Sequence, residues 1–400
     1  MPIVKIGIIG ITIGMAVMIL TVGIVLGFKS EITKRITGLT TDIAISNINI
    51  NPGNEPEPIK ISKDSLELIK QLPFVEHLQE TSFKNGLLKT LQENEGVLIK
   101  GVGSSYDFGF LKEHLVAGRL PLFNKEEISK DIFISQSLAD RLNLKVQDKI
   151  SIYFLTQHDV VDSLSGLKVR QSDPKTWSFM ICGIFKTDFT DFDEKLSIVD
   201  IRRIQKINYW DSLTVGNYEI KLKKFETLEA NVEVLKDLLG YNYNVYSIKE
   251  IYANIFVLLD KLDVNGIIII VLMILVATVN MITALLILIL ERTNMVGLLK
   301  ALGMGNIDVR NIFLRISYQL IGKGLLWGNI IGIGLCIIQY YFKLVKLDSE
   351  TYYVNYVAIQ FNWTYILLLN VGTFVVCMFM LILPTLIISR LTPLKTLKFD

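Results

Sequence analysis

The residues of this chain that could bind a metal or form disulfides are few and widely separated. The candidates are three cysteines and three histidines, namely Cys182, Cys336, Cys377, His77, His114 and His158. Because neither a CxxC pair nor a Cys/His cluster occurs, the sequence predicts no structural zinc site. Two of the cysteines lie in long apolar runs, where a thiol behaves as a small hydrophobic group, so a disulfide framework is not expected.

The motifs of common enzymes are also missing from the sequence. Lys323 lies in a GKG triplet that lacks the spacing and the Ser/Thr of a phosphate-binding loop, so we do not expect this chain to bind ATP in the usual cradle of backbone amides. Neither HExxH nor GxSxG occurs, which argues against a peptidase. The prediction is a chain that is not an enzyme and carries no cofactor of its own. A formal net charge of only +2 also gives no reason to expect a nucleic-acid partner.

Long apolar segments dominate the chain, which is 51% hydrophobic with a mean hydropathy of +0.44. Residues 6–28 contain no charge and can cross a hydrocarbon core of ~30 Å as a helix. A cleaved signal peptide is the alternative, but its apolar part is usually only ~7–15 residues long, and no small-residue cleavage site precedes Lys29. The predicted membrane-spanning helices are residues 6–28, 264–290, 311–342 and 363–389.

Residues 29–263 differ in character and predict a folded α+β domain outside the membrane. Ser62 is placed to cap a helix that Pro73 ends. Strand-like runs follow at 96–102, 131–135, 148–155 and 177–185. The remaining segments are a loop at 291–310, a second loop at 343–362 and a tail at 390–400. The predicted fold class is an α-helical membrane protein with four transmembrane helices and a large α+β domain outside the membrane, and the family resemblance given below implies that this domain is extracytoplasmic.

Two further patterns concern the spans themselves. Gly324, Gly328 and Gly332 recur at every fourth position, as do Gly10 and Gly14, which places small residues on one helix face so that another helix can approach. Glycine is also common in membrane helices generally, so the spacing leaves that alternative open. Lys and Arg are equally frequent at the two sets of span ends, and the charge bias therefore leaves the orientation undecided.

Three segments carry a family resemblance. These are ERTNMVGLLKALG at 291–303, the tail SRLTPLKTLKFD, and the tyrosine-rich loop LDSETYYVNYVAIQFNW at 347–363. Together with the order of span, large domain and three spans, they resemble the four-span ABC permeases of the MacB and lipoprotein-releasing (LolC/LolE) type, in the FtsX-like superfamily. The loop and the first span are more similar to the lipoprotein-releasing branch. Family members usually begin with a cytoplasmic amphipathic stretch, whereas only five residues precede the first span here.

The resemblance implies a MacB-like periplasmic core domain and a multi-pass permease in the bacterial inner membrane. Its expected function is to extract lipoproteins from the outer leaflet by mechanical transmission from a separate ATPase. The implied partners are a cytoplasmic ABC ATPase dimer, a second permease copy that is identical or paralogous, acylated lipoprotein cargo, a periplasmic lipoprotein carrier and membrane lipid. The alternatives are a MacB-like exporter of peptides or small molecules, and an FtsX-like signalling permease.

Three sets of residues are candidates for these roles. Segment 291–303 predicts an amphipathic helix that couples to the ATPase, with Val296, Leu299 and Leu302 on one side and Gly303 as the C-cap. The coupling set is Glu291, Arg292, Val296, Leu299, Lys300, Leu302 and Gly303. A lateral cargo cleft, with contact to bulk lipid as the alternative, is expected at Val25, Phe28, Val264, Ile267 and Ile268.

The third set lies in the polar segment 156–177, an expected insertion between two strands. It occupies the position where the family places the hairpin that holds the carrier, and a disordered hairpin tip is the alternative. The carrier-binding candidates are Asp162, Leu164, Leu167, Arg170 and Pro174.

Overall fold

The chain divides into two compact units in a computed structural model that describes residues 2–49, 57–89, 94–123, 127–161 and 168–385. The first, here called the membrane unit, comprises Met1–Glu31, Val257–Leu347 and Asn355–Asp400. The second, here called the large domain, comprises Ile32–Phe256 and Asp348–Val354. Each unit is described by itself.

The helices of the described residues vary widely in length. They are α1 (Pro2–Leu39), α2 (Lys63–Gln71), α3 (Gly109–Glu113), α4 (Gln136–Arg141), α5 (Thr190–Asp193), α6 (Ile201–Asn208), α7 (Leu228–Leu239), α8 (Ile248–Ile251), α9 (Ala253–Glu291), α10 (Thr293–Ala301), α11 (Asn306–Phe342), α12 (Ser349–Tyr352), α13 (Trp363–Met380) and α14 (Ile382–Thr385). Short 3-10 turns lie at Phe225–Thr227 and Gly240–Asn242.

The strands of the described residues all belong to one sheet. They are β1 (Ile43–Asn47), β2 (Val75–Lys89), β3 (Asn94–Val102), β4 (Leu115–Gly118), β5 (Asp131–Ser135), β6 (Lys149–Val161), β7 (Lys168–Phe185), β8 (Leu196–Asp200), β9 (Asn217–Leu222) and β10 (Tyr243–Ser247).

Four helices of the described residues, α1, α9, α11 and α13, are long and apolar enough to cross a membrane. The predicted fold class, with four transmembrane helices and a large α+β domain, is thereby confirmed. Helices α1 and α9 extend well past the predicted apolar runs, because backbone hydrogen bonding continues a helix into water when its sequence permits. The end of the predicted fourth span at 386–389 and the tail at 390–400 lie outside the described residues.

Glycine stripes bring the membrane helices into contact, as the sequence spacing predicted. A Cβ atom added at Gly328 would lie 2.6 Å from the Met15 Cβ, and one at Gly324 would lie 2.7 Å from the Ile11 Cβ. At these glycines α11 approaches α1 so closely that a larger residue would not fit without a shift. On another face of α1, a Cβ at Gly10 would lie 2.7 Å from the Asn280 side chain of α9.

The membrane unit has an apolar interior with isolated polar contacts. Its buried cluster includes Ile11, Met15, Met281, Leu285 and Phe313. Between α11 and α13, the amides of Asn329 and Asn370 exchange two hydrogen bonds of 2.6 and 2.9 Å. This reciprocal pair satisfies polar groups that would be costly to leave unpaired in lipid.

The sheet of the large domain is mixed, with the order β10-β1-β9-β2-β3-β8-β5-β7-β4. Most neighbours are antiparallel, whereas β3 pairs with β8 and β5 with β7 in parallel. Strand β6 lies off this path and pairs with both β2 and β7. The four predicted strands correspond to β3, β5, β6 and β7, and the Ser62 cap is confirmed because its hydroxyl accepts the Ser65 N–H.

The two faces of this sheet differ. On one face α6 packs closely, so that a Cβ at Gly101 would lie 2.7 Å from Ile204. On the opposite face, alternate residues of β1, β2, β3, β8, β9 and β10 line a cavity of about 640 Å³. Lys100 and Glu219 form an ion pair at its floor, with 2.9 Å between Nζ and Oε1.

Candidate functional site

The segment between the second and third membrane helices forms a short separate helix. Helix α9 ends at Glu291, and Arg292 takes a non-helical conformation before α10 begins at Thr293. The Thr293 hydroxyl contacts the carbonyls of Ile289 and Leu290, at 3.2 and 2.6 Å, which satisfies acceptors at the end of α9. The break therefore allows α10 to take its own direction.

Gly303 ends α10 as the sequence predicted. Its φ is +90°, its N–H donates to the Lys300 carbonyl, and the Met304 N–H donates to the Leu299 carbonyl. These two bonds are those of a Schellman motif with glycine at the left-handed position. The motif fixes the turn that leads into α11.

The three residues predicted to form the apolar face of α10 do not lie on one side of the helix. Val296 is fully buried in the core of the membrane unit, Leu299 is half-buried, and Leu302 is 78% exposed. Six residues at 100° per residue place Val296 and Leu302 about 120° apart, so they cannot share one narrow face.

The exposed apolar stripe of α10 was missed at the sequence level. It consists of Met295, Leu298 and Leu302, which are 38%, 56% and 78% exposed. The spacing of i, i+3 and i+7 places them on one side of the helix, and this spacing could have been read from the sequence. We call these three residues the exposed stripe of α10.

Charged residues flank this stripe. Glu291 and Arg292 are exposed at the break before α10, and Lys300 is half-buried in its last turn. Burial lowers the pKa of the Lys300 ammonium. The helix thus offers three apolar side chains bordered by charges of both signs, which is the composition of a protein-docking surface.

The outer ends of α1 and α9 are joined by ion pairs that the sequence analysis did not anticipate. Lys29 Nζ lies 2.6 Å from Asp263 Oδ2 and 3.5 Å from Asp260 Oδ1. These three residues flank the apolar runs of two spans, so their position at the same membrane level could be inferred. Their pairing could not, since it depends on the rotation of both helices.

The five predicted cleft residues do not form one surface within this chain. Val25 lies at the contact between α1 and α9, where a Cβ at Gly266 would be 3.3 Å from its Cγ2. Phe28 is half-buried. Val264 and Ile268 are each two positions from Gly266, so they lie on the opposite side of α9 and are more than half exposed, as is Ile267.

The predicted carrier-binding hairpin is a ribbon of two strands. The segment 156–177, predicted as a polar hairpin between two strands, continues both of those strands, because β6 and β7 stay paired as far as Val161 and Lys168. Strand β2 pairs with β6 at Ile152 and Tyr153. Beyond these residues, the described part of the ribbon is held by the hydrogen bonds between β6 and β7.

The hairpin candidates fall on different parts of this ribbon. Arg170 lies in β7 opposite Asp159, and the exposed Pro174 lies opposite Leu155. Asp162, Leu164 and Leu167 lie outside the described residues.

Family models match almost the whole chain. Residues 6–238 match the MacB-like periplasmic core domain, and residues 267–393 match the FtsX-like permease C-terminal domain. The first match alone covers more than half of the chain.

The chain is also similar to individual proteins. The chain is 23% identical to the lipoprotein-releasing system transmembrane protein LolC of Buchnera aphidicola, over 96% of this chain and 89% of that protein. It is 21% identical to the transmembrane protein LolE of the same system in Haemophilus influenzae, over 98% and 93%. The solved periplasmic region of MacB from Actinobacillus actinomycetemcomitans is 12% identical, with a TM-score of 0.34, over 53% of this chain and 91% of that structure.

Proposed function

We propose that this chain, which belongs to the ABC transporter permeases with a MacB-like periplasmic core domain and an FtsX-like C-terminal domain and is of the LolC/LolE type, extracts lipoproteins from the inner membrane. It would pass them from the outer leaflet to a periplasmic carrier. The observation that carries this proposal is the similarity to lipoprotein-releasing proteins over nearly the full chain.

The position of the periplasmic domain determines the sidedness of the other segments. That domain is inserted between α1 and α9, so both helices cross to the periplasmic side at its two ends. Since α10 follows α9 across the membrane, it lies on the opposite, cytoplasmic side. Helix α10 would then lie on the face on which an ABC ATPase acts.

We infer that the exposed stripe of α10 docks onto the ATPase. Three adjacent exposed apolar side chains on a short helix are costly to leave in water, and burial against a partner removes that cost. Val296, on the inner side of the helix, belongs to the same buried cluster as Leu288 and Phe313. A push on α10 would therefore move the ends of α9 and α11 with it.

Helix α9 has the length needed to transmit such a movement. Its 39 residues correspond to about 58 Å, roughly twice the ~30 Å hydrocarbon core. A tilt imposed at Glu291 therefore reaches the periplasmic end at Ala253 without passing through a loop. In the proposed mechanism, this tilt opens and closes the path of the cargo.

Four spans are few for enclosing a path for a lipid-bearing protein, so we propose that two permease copies assemble with two ATPases. The glycine contacts already occupy two faces of α1 within one chain. Outward-facing residues such as Val264 and Ile268 on α9 are then available to contact the second copy, the acyl chains or bulk lipid.

Lipoprotein release in proteoliposomes tests the proposed function. The chain would be purified with its associated ATPase and reconstituted with a triacylated lipoprotein, and soluble lipoprotein would be measured after addition of ATP and a carrier. ATP-dependent release is expected. Retention of the lipoprotein together with ATP-driven movement of peptides or small amphiphiles would instead indicate an exporter, and ATP hydrolysis without any transport would favour a signalling permease.

Substitutions on α10 test the docking surface. Leu298→Asp combined with Leu302→Asp places two charges on the exposed stripe, and each buried charge without a partner costs several kcal/mol. Loss of the ATPase during purification is expected, with the chain still folded because both side chains are exposed. Asn306→Asp, an exposed change outside the stripe in the first turn of α11, is the matched control. An intact complex for the double variant would exclude this docking surface.

A further inference from the structure

A second cavity, of about 390 Å³, lies in the membrane unit at the outer end of α1. The end of α11 and the loop at 343–362 form its other walls. Its lining residues are Gly27, Ser30, Glu31, Tyr340, Lys343, Tyr356, Val357, Ala358, Ile359 and Gln360. The lining thus combines one acidic group, one basic group, a hydroxyl and two tyrosines.

The walls of this cavity are held firmly. A Cβ at Gly27 would lie 2.3 Å from the Ala358 carbonyl oxygen, so the loop backbone rests directly on α1. The Gln360 N–H donates to the Gly23 carbonyl at 3.0 Å. Gln339 of α11 donates to the Val345 and Val357 carbonyls at 3.2 and 3.0 Å. The cavity is therefore a built feature of the fold.

Aromatic side chains place this cavity at the level of the lipid headgroups. Helix α11 ends at Phe342 and α13 begins at Trp363, and both residues are largely exposed. Tyr340 and Tyr341 precede the first end, and Phe361 stacks on Trp363 at the second, with ring centroids 6.4 Å apart. Exposed Trp and Tyr at the ends of spans mark the membrane–water interface. The periplasmic domain is inserted on the same side of the spans, which makes this the outer leaflet.

Lys343 presents a cation at the cavity. It caps α11 in a left-handed conformation, with φ of 46°, and its Nζ lies 4.0 Å from the centre of the Tyr356 ring. Within the described residues its ammonium makes this cation–π contact and no ion pair. The remaining N–H donors of the ammonium suit a phosphate oxygen.

Glu31 supplies the opposite charge in the same lining. A ligand that carries both a phosphate and an amine can address Lys343 and Glu31 together. Cargo of the lipoprotein type carries its acyl chains on a cysteine without a phosphate, so it would leave the cation of Lys343 unused. We propose that this cavity binds the zwitterionic phosphoethanolamine headgroup of an outer-leaflet phospholipid, with its phosphate on Lys343 and its amine on Glu31.

This site is independent of the cargo and goes beyond the proposed function. A headgroup held between α1 and the loop joining α11 to α13 ties a resident lipid to the first span. The bound phospholipid would thereby occupy one side of α1 at the level where lipid-anchored cargo approaches.

Native mass spectrometry of the detergent-solubilised full chain tests the proposal. Phosphatidylethanolamine, phosphatidylglycerol and diacylglycerol would be titrated against the wild type and three variants, Lys343→Gln, Glu31→Gln and Lys346→Gln. Lys346 lies on the same loop, is exposed and does not line the cavity, so it is the matched control. Melting temperatures in detergent would verify that each variant is folded.

Loss of a charge-assisted bond to phosphate should weaken phosphatidylethanolamine binding about tenfold in Lys343→Gln and leave Lys346→Gln unchanged. Glu31→Gln should abolish the preference for phosphatidylethanolamine over phosphatidylglycerol. Equal binding by all four proteins, or diacylglycerol binding as tightly as phosphatidylethanolamine, would overturn the proposal. Soluble glycerophosphoethanolamine with the same affinity would show that the ligand is a free phosphoester instead of a lipid. Lipoprotein release measured on the same variants keeps this result separate from the proposed function.

Discussion

In the large domain, charged side chains are buried beside their partners, whereas the buried polar residues of the membrane unit are uncharged. Lys100 and Glu219 are almost completely buried, and Gln79 donates a further bond of 2.8 Å to the carboxylate. In the described part of the membrane unit, the buried polar side chains are Thr12, Thr278, Ser317, Gln339 and Thr373. The two units thus use different means to hold their elements together.

The difference follows from the surroundings of each unit. A sheet fixes its strands through backbone hydrogen bonds, so two strands such as β3 and β9, which both pair with β2, can hold two charges at a set distance and compensate their desolvation. Membrane helices satisfy their backbone internally and gain little from apolar burial, because lipid is as apolar as their interior. Their association depends on close contact, which is why glycines line the contacts of α1 with α9 and α11.

The largest expected effect concerns the buried pair of the large domain. Lys100→Met leaves the Glu219 carboxylate buried without its cation, which should destabilise the domain by about 3–5 kcal/mol. Hydrogen exchange of β3 and β9 in the detergent-solubilised chain measures this loss. Lys221→Met, at an exposed ion pair with Asp107, is the control and should cost less than about 1 kcal/mol. The double variant Lys100→Met with Glu219→Leu should recover most of the loss, and failure to do so would contradict the assigned pairing.

A second buried carboxyl group, that of Asp42, predicts that the stability of the same domain depends on pH. Burial raises the pKa of Asp42 from its ordinary value of 3.8 to about 6, although the Leu222 N–H donates to its carboxylate at 2.7 Å. Because the folded pKa is the higher one, the stabilisation is complete below pH 4 and is lost as the pH rises through 6. Linkage limits this contribution to about 3 kcal/mol. Stability as a function of pH would be measured by hydrogen exchange in β9. Asp42→Asn should remove the change in stability between pH 4 and pH 6, and an unchanged dependence on pH would contradict the role of Asp42.

For the membrane unit, the comparison predicts that added side-chain volume at a glycine contact lowers stability. Gly328→Val puts a side chain into the contact with Met15 and should lower stability by about 1–3 kcal/mol through overpacking. Thermal unfolding in detergent would measure the effect. Gly334→Val on the same helix is the control, since no atom lies within 4 Å of a Cβ added there. Equal melting temperatures for the two variants would contradict the assignment of Gly328 to a helix contact.

The smallest expected effect is at the charges that end the spans. Lys29 is 40% exposed and its two partners are at least as exposed, so Lys29→Gln should change stability by less than about 1 kcal/mol. The effect should shrink further at high salt, because screening already weakens such pairs. Unfolding midpoints at low and high ionic strength test this prediction. If Lys29→Gln lowered stability as much as Lys100→Met, the distinction between exposed and buried charges would be contradicted.

Local features of the molecule were predictable because their causes lie within a few residues. The four spans follow from long apolar runs, the caps at Ser62 and Gly303 from single residue types, and the glycine contacts from a spacing of four. Helix α10 was predicted for the same reason. Its exposed side was not predicted correctly, because the spacing of Val296, Leu299 and Leu302 does not follow the helical period.

The sequence by itself determined which segments enter the membrane, where the large domain is inserted and which residues end or cap helices, since each depends on apolar length or on backbone geometry within one turn. Tertiary structure alone decided the sheet order, the burial of Lys100 against Glu219, and the pairing of Lys29 with Asp263. The partners in these two pairs are 119 and 234 positions apart. Charge and spacing in one segment carry no information about a partner so distant, because the rotation of each helix and the register of each strand are set by contacts with the rest of its unit.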